Sequence, residues 1–142
     1  MLSLRDYAEI EIASGAPDAV LVEATEVDDA RHWIGVFESP TRGLLLCLSR
    51  RVDSKTGSAG STDIGDVTAI CPPRLCAAAG RMPTGAIDAQ VTGTPEAKLT
   101  RVSPSTWVLA LGRELPIDIC VQPTDAEGRA PGTPRRLAMP AS

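Results

Sequence analysis

The chain has 142 residues, 43% of them hydrophobic and 23% charged, with a net charge of −4. That length suits one domain with its own core, and that composition excludes wholesale disorder. The first thirty residues hold eight acids against Arg5 alone, and the rest thirteen cations against ten acids. Neither part has the cation cluster that a phosphate backbone demands, so nucleic-acid binding is not expected.

The start, MLSLRDYAEIEI, carries charge early and develops no apolar h-region, and the longest apolar run, Leu44–Leu48, is too short to span a bilayer. These features predict a cytoplasmic protein with no membrane span. Twelve glycines and twelve prolines punctuate the sequence. Such spacing favours short strands joined by turns over long helices.

Taken in chain order, Ala8, Ile10 and Ile12 alternate with Tyr7, Glu9 and Glu11, which predicts a half-buried strand. A Gly15-Ala-Pro-Asp18 turn leads to a strand over 20–27. The segment His32–Phe37 is apolar on both faces and predicts a central strand, with Trp33 as a core landmark. Pro40-Thr-Arg-Gly43 turns the chain into a strand over 44–49, completing a hairpin. Residues 50–65 are polar, small and glycine-rich, and predict an exposed flexible loop. A short strand is expected over 67–71, and Pro72–Gly80, with its alanine run, predicts a short helical turn near 74–80. Strands follow over 86–92, 97–102, 107–111 and 117–121, then an Asp125–Gly128 turn, a strand over 135–139 and a frayed end at 140–142. About seven to nine short strands without alternating helices predict an all-β, antiparallel two-sheet sandwich spanning 1–139 as a single domain, Ig-like or jelly-roll-like.

Asp29-Ala-Arg-His-Trp33-Ile-Gly-Val-Phe37 resembles the buried-tryptophan strand of immunoglobulin-like and fibronectin type III-like sandwiches. The run Val121-Gln-Pro-Thr-Asp125-Ala-Glu-Gly128 is similar to their last hairpin. The two stretches cover 17 of the 142 residues, and the resemblance implies a fold with a tendency toward protein binding, without a specific activity. No cysteine pair brackets Trp33 as in antibody domains.

The chemistry-bearing residues are sparse. His32 is the single histidine, so a hydrolase of the Ser-His or Cys-His kind would have to run through it, with Asp28 or Asp29 orienting the ring. No Gly-x-Ser-x-Gly elbow and no phosphate loop accompany it. Cys47 and Cys120 sit in apolar runs and read as buried thiols. Cys71 and Cys76 read as free thiols, with a bridge between them as the alternative. Their spacing and the lack of further histidines do not suit zinc. Asp28, Asp29, Asp125 and Glu127 lie in acidic turns and are the candidates for a calcium site, although no Asp-x-Asp-x-Asp loop is present.

No cofactor and no enzymatic activity are expected. The leading expectation is a non-catalytic module for a protein partner or for self-association, acting through strand edges and loops. Glu9, Glu11 and Glu23 would form its acidic surface, and Arg50, Arg51, Arg135 and Arg136 its basic one. A small-ligand or calcium-binding sandwich is the alternative.

Overall fold

The computed structural model describes residues 2–27, 30–65, 68–70, 76–93, 97–103, 106–111 and 117–139. Among them are one helix and eleven strands, paired antiparallel in three sheets. The chain is therefore mostly β, as expected. Its backbone contacts divide it into two compact units, Met1–Ile64 and Gly65–Ser142.

The first unit begins with a helix, α1 (Leu4–Gly15), where the alternation of Ala8, Ile10 and Ile12 predicted a strand. The helical period wins because Leu4, Ala8 and Ile12, four apart, are all buried, whereas Ile10 is 59% exposed. A local signal also favours the helix. The Ser3 hydroxyl accepts from the Asp6 N–H, and the Asp6 carboxylate accepts from the Ser3 N–H, forming a reciprocal capping box.

Four strands follow in a meander: β1 (Val20–Val27), β2 (His32–Ser39), β3 (Gly43–Arg51) and β4 (Gly57–Asp63), hydrogen-bonded in that order. Of the loop expected over 50–65, only 52–56 and 64–65 lie outside strands, and 57–63 is an edge strand. The small residues there suit a close-packed surface: the Tyr7 ring lies against Gly57, Ala59 joins the core, and the Ser61 hydroxyl donates to Glu11. In the turn, the Asp53 carboxylate accepts from the Lys55 and Thr56 N–H groups.

Trp33, Phe37, Leu45 and Cys47 form a core with Leu4, Ala8, Ile12 and Ala16 of the helical segment. The Trp33 and Phe37 ring centroids are 6.2 Å apart. The indole lies over Gly35, two residues along the same face, where only a glycine leaves room for it. Ser49, fully buried, donates its hydroxyl to the Leu4 carbonyl at 2.7 Å and ties β3 to the helix. The alternate residues Ile34, Val36, Leu46 and Leu48 are buried too.

The second unit holds β5 (Thr68–Ile70), β6 (Cys76–Arg81), β7 (Asp88–Gly93), β8 (Ala97–Ser103), β9 (Thr106–Leu111), β10 (Ile117–Thr124) and β11 (Arg135–Met139). They form the sheets β5-β6-β9-β8 and β11-β10-β7. The helical turn expected near 74–80 is not helical at 76–80, which is β6; residues 74 and 75 lie outside the described residues. Helix propensity in the alanine run is overridden by pairing, because β6 has a hydrogen-bonded neighbour on each side and Ala77–Ala79 are buried. Gly93 ends β7 at φ +107, with the Asp118 backbone against its α-carbon. The frayed end expected at 140–142, and the Cys71 half of the proposed bridge, also lie outside the described residues.

Candidate functional site

The helix lies over β2, β3 and β4 and leaves β1 at the margin of the first unit. Within β1 the register against β2 shifts between Leu21 and Glu23. This irregularity lets Leu21 and Ala24, three apart, both pack on the helix-side core. Val20, in register with Glu38, and Val22, at the irregularity itself, are 68% and 40% exposed. Beside the strand runs a groove of about 400 Å³ between α1 and β1, lined by Ile12, Ala16, Pro17, Leu21 and Phe37, with Arg5 and Glu9 at its rim. A second hollow of about 380 Å³ is lined by Val20, Val22, Glu38 and Pro40. On its outer side, β1 has no neighbouring strand among the described residues.

The approach to this edge is fixed by a polar cluster. The Asp18 carboxylate accepts hydrogen bonds from the Ser39 hydroxyl at 2.7 Å and the Thr41 hydroxyl at 2.8 Å. Ser39 accepts in turn from the Thr41 and Arg42 N–H groups. Arg42 reaches on to the Gly15 carbonyl and pairs with Asp63, so the helix end and the last strand converge on one hairpin turn.

The Ser39 and Thr41 hydroxyls hold the Asp18 carboxyl below its ordinary value of 3.8. The same direction holds for Asp6 through Ser3, for Asp53 through the Lys55 and Thr56 N–H groups, and for Asp118 through Arg136. A carboxyl lowered on folding contributes stability that is complete above its unfolded value and lost as pH falls through its folded one. Urea midpoints should therefore hold level near neutrality and decline below about pH 4. The Thr41→Val variant should lie below wild type at neutral pH, with the gap narrowing in acid; a gap independent of pH would refute the role given to Asp18.

The other sequence-designated residues are dispersed. Glu9 pairs with Arg5 along the helix at 3.0 Å, Glu11 accepts from Ser61, and Glu23 is exposed on β1. Arg50 and Arg51 close β3. In the second unit, Arg135 and Arg136 open β11, and Arg136 makes a two-point contact with Asp118 across the sheet, its nearer nitrogen–oxygen distance 2.6 Å. His32 is buried at the start of β2, in register with Val27 and Arg50; Asp28 and Asp29 lie outside the described residues.

Of the calcium candidates, Asp125 uses one carboxylate oxygen to accept from the Glu127 and Arg129 N–H groups of its own turn. No group of three His, Cys, Asp or Glu able to hold a metal ion occurs among the described residues. Burial pushes the Cys47 thiol up to about 12, which removes thiolate chemistry there. No described helix is long and apolar enough to cross a membrane.

Val20 and Val22 were not among the sequence-designated surface residues. Their signal was the unbroken apolar run Val20-Leu21-Val22, which sends side chains to both faces of a strand whose helix covers only one side. Compared with known proteins, the chain matches no family model, no curated protein and no solved structure.

Proposed function

We propose that this chain is a non-catalytic protein-interaction or assembly module, and that the outer edge of β1 is its docking strand. The observation that carries the reading is an edge strand with no outer neighbour among the described residues, and with Val20 and Val22 exposed beside apolar hollows. Edge strands offer unpaired N–H and C=O groups, and natural sheets usually guard them with charge, proline or a cover. Partners that add a strand draw affinity from that main chain and specificity from alternate side-chain pockets.

The sandwich architecture is part of the same proposal. In the second unit, buried Ile119, Val121 and Pro123 alternate with the more accessible Asp118, Cys120 and Gln122. A sheet with one covered face is what half of a two-sheet sandwich presents.

The test replaces both outward valines with lysine. Val20→Lys/Val22→Lys is expected to keep the wild-type circular dichroism and urea midpoint, since both side chains are exposed. It should lose whatever self-association light scattering finds, or whatever partner affinity purification finds. Wild-type association in the folded variant, or a wild type that is monomeric at high concentration and captures nothing, overturns the reading.

A further inference from the structure

Resting on the reading of β1 as a docking edge, we infer that its occupant is an extended segment of another protein in which a run of apolar residues adjoins lysine or arginine. The inference comes from the way charge is distributed along the strand. Val20, Leu21 and Val22 form its apolar first half, and Glu23 and Glu26 supply acid to the second. The register sets Glu23 opposite Val36 and Glu26 opposite Trp33, so the two carboxylates lie on opposite faces of the sheet. Glu38, opposite Val20, adds a third exposed carboxylate on the Glu23 face. Among the described residues, the hollow beside the valines is lined by no cation, and in the groove on the helix side the one cation, Arg5, is already paired with Glu9. A strand laid along β1 therefore meets apolar surface first and then acid on both of its faces.

The edge backbone bears on this as well. The Glu23 carboxylate accepts from the neighbouring Ala24 N–H at 3.4 Å, a long contact that an incoming carbonyl can replace. Glu23 then becomes available to a cation on the incoming strand. Opposite charges facing each other across a strand pair are favourable and like charges are not. That rule also disfavours a second copy as occupant. Antiparallel pairing of two β1 strands brings four carboxylates into one ladder, with no lysine or arginine in either strand to meet them.

Three capped octapeptide designs, each made in both orders, test the inference: four valines joined to four lysines, four valines joined to four glutamates, and the valine–lysine sequence N-methylated at every second residue. Binding is followed through the β1 amide signals of the isotope-labelled full chain. The valine–lysine peptide is expected to shift the amides of 20–26 and to weaken about tenfold or more in about 0.5 M salt. Glu23→Lys/Glu26→Lys should abolish the effect while leaving signals outside the strand unmoved. The glutamate peptide should not bind, and the N-methylated peptide should fail because it cannot complete the ladder.

Equal binding of the glutamate peptide, or indifference to the charge-reversing variant, overturns the basic occupant while leaving the docking edge intact. Undiminished binding of the N-methylated peptide overturns strand addition. Absence of β1 shifts with every peptide overturns the inference, and the lysine-for-valine test then decides separately whether β1 docks anything. Self-association lost in Val20→Lys/Val22→Lys but retained in Glu23→Lys/Glu26→Lys would install a second copy in place of the basic segment.

Discussion

Trp33→Ala is expected to destabilise the first unit by about 3–5 kcal/mol, the range for removing a large buried aromatic side chain. Trp33 is 5% exposed and belongs to the cluster that joins β2 and β3 to the helix, so no polar surface is there to refill the space. The measurement is the urea midpoint of the folded chain, with the slope checked for constancy.

A companion variant isolates the geometry. A methyl group at residue 35 would collide with two atoms of the indole six-membered ring, Cη2 and Cζ3, and lie 3.2 Å from Leu21 Cδ1. Gly35→Ala alone should thus cost about 1–3 kcal/mol by overpacking. In a Trp33→Phe background, where those ring atoms are gone, the same change should cost distinctly less. Strict additivity of the two substitutions would show that the ring and the glycine are not coupled.

Gly93→Ala should be comparably severe, at about 3 kcal/mol or more, because two penalties combine. Residue 93 sits at φ +107, a conformation that L side chains rarely adopt. Its added β-carbon would also press on the Asp118 carbonyl oxygen and approach Ile119 Cα to 3.2 Å. Those are backbone atoms of the paired strand β10 and cannot swing aside as a side chain would. Gly85 provides the control: its φ is +91, but nothing lies within 4 Å of an added β-carbon. Gly85→Ala should show the conformational penalty alone. Equal losses at the two positions would remove the case for close approach between β7 and β10.

Much of the strand pattern was legible because period-two alternation and turn residues act locally. The segments 20–27, 97–103 and 135–139 appear almost where expected, as does the turn stabilised by Asp125. The errors share one cause. Ala8, Ile10 and Ile12 satisfy a period of two and, with Leu4, part of a period near four; which one governs depends on what the segment packs against. The glycine and serine of 57–63 look like loop until Tyr7 and Glu11 are laid over them. Ala77–Ala79 look helical until strands flank them on both sides. In the last two cases distant residues decide and no local window contains them, whereas the helix also had the Ser3–Asp6 capping box as a local signal. The candidate edge was less legible still. Exposure of Val20 and Val22 depends on where the helix ends up, which is not written within the strand.

The seat of α1 on β4 also sets an order of events. The helix is made before the meander, yet part of its surface of contact, 57–63, is made only after β1, β2 and β3. Twelve residues are too few for a lasting helix in water, so α1 has to wait in a partly melted form with Leu4, Ala8 and Ile12 uncovered. Until β4 emerges, a nascent chain bears that apolar stripe uncovered, which opens an interval of exposure to chaperones and to aggregation.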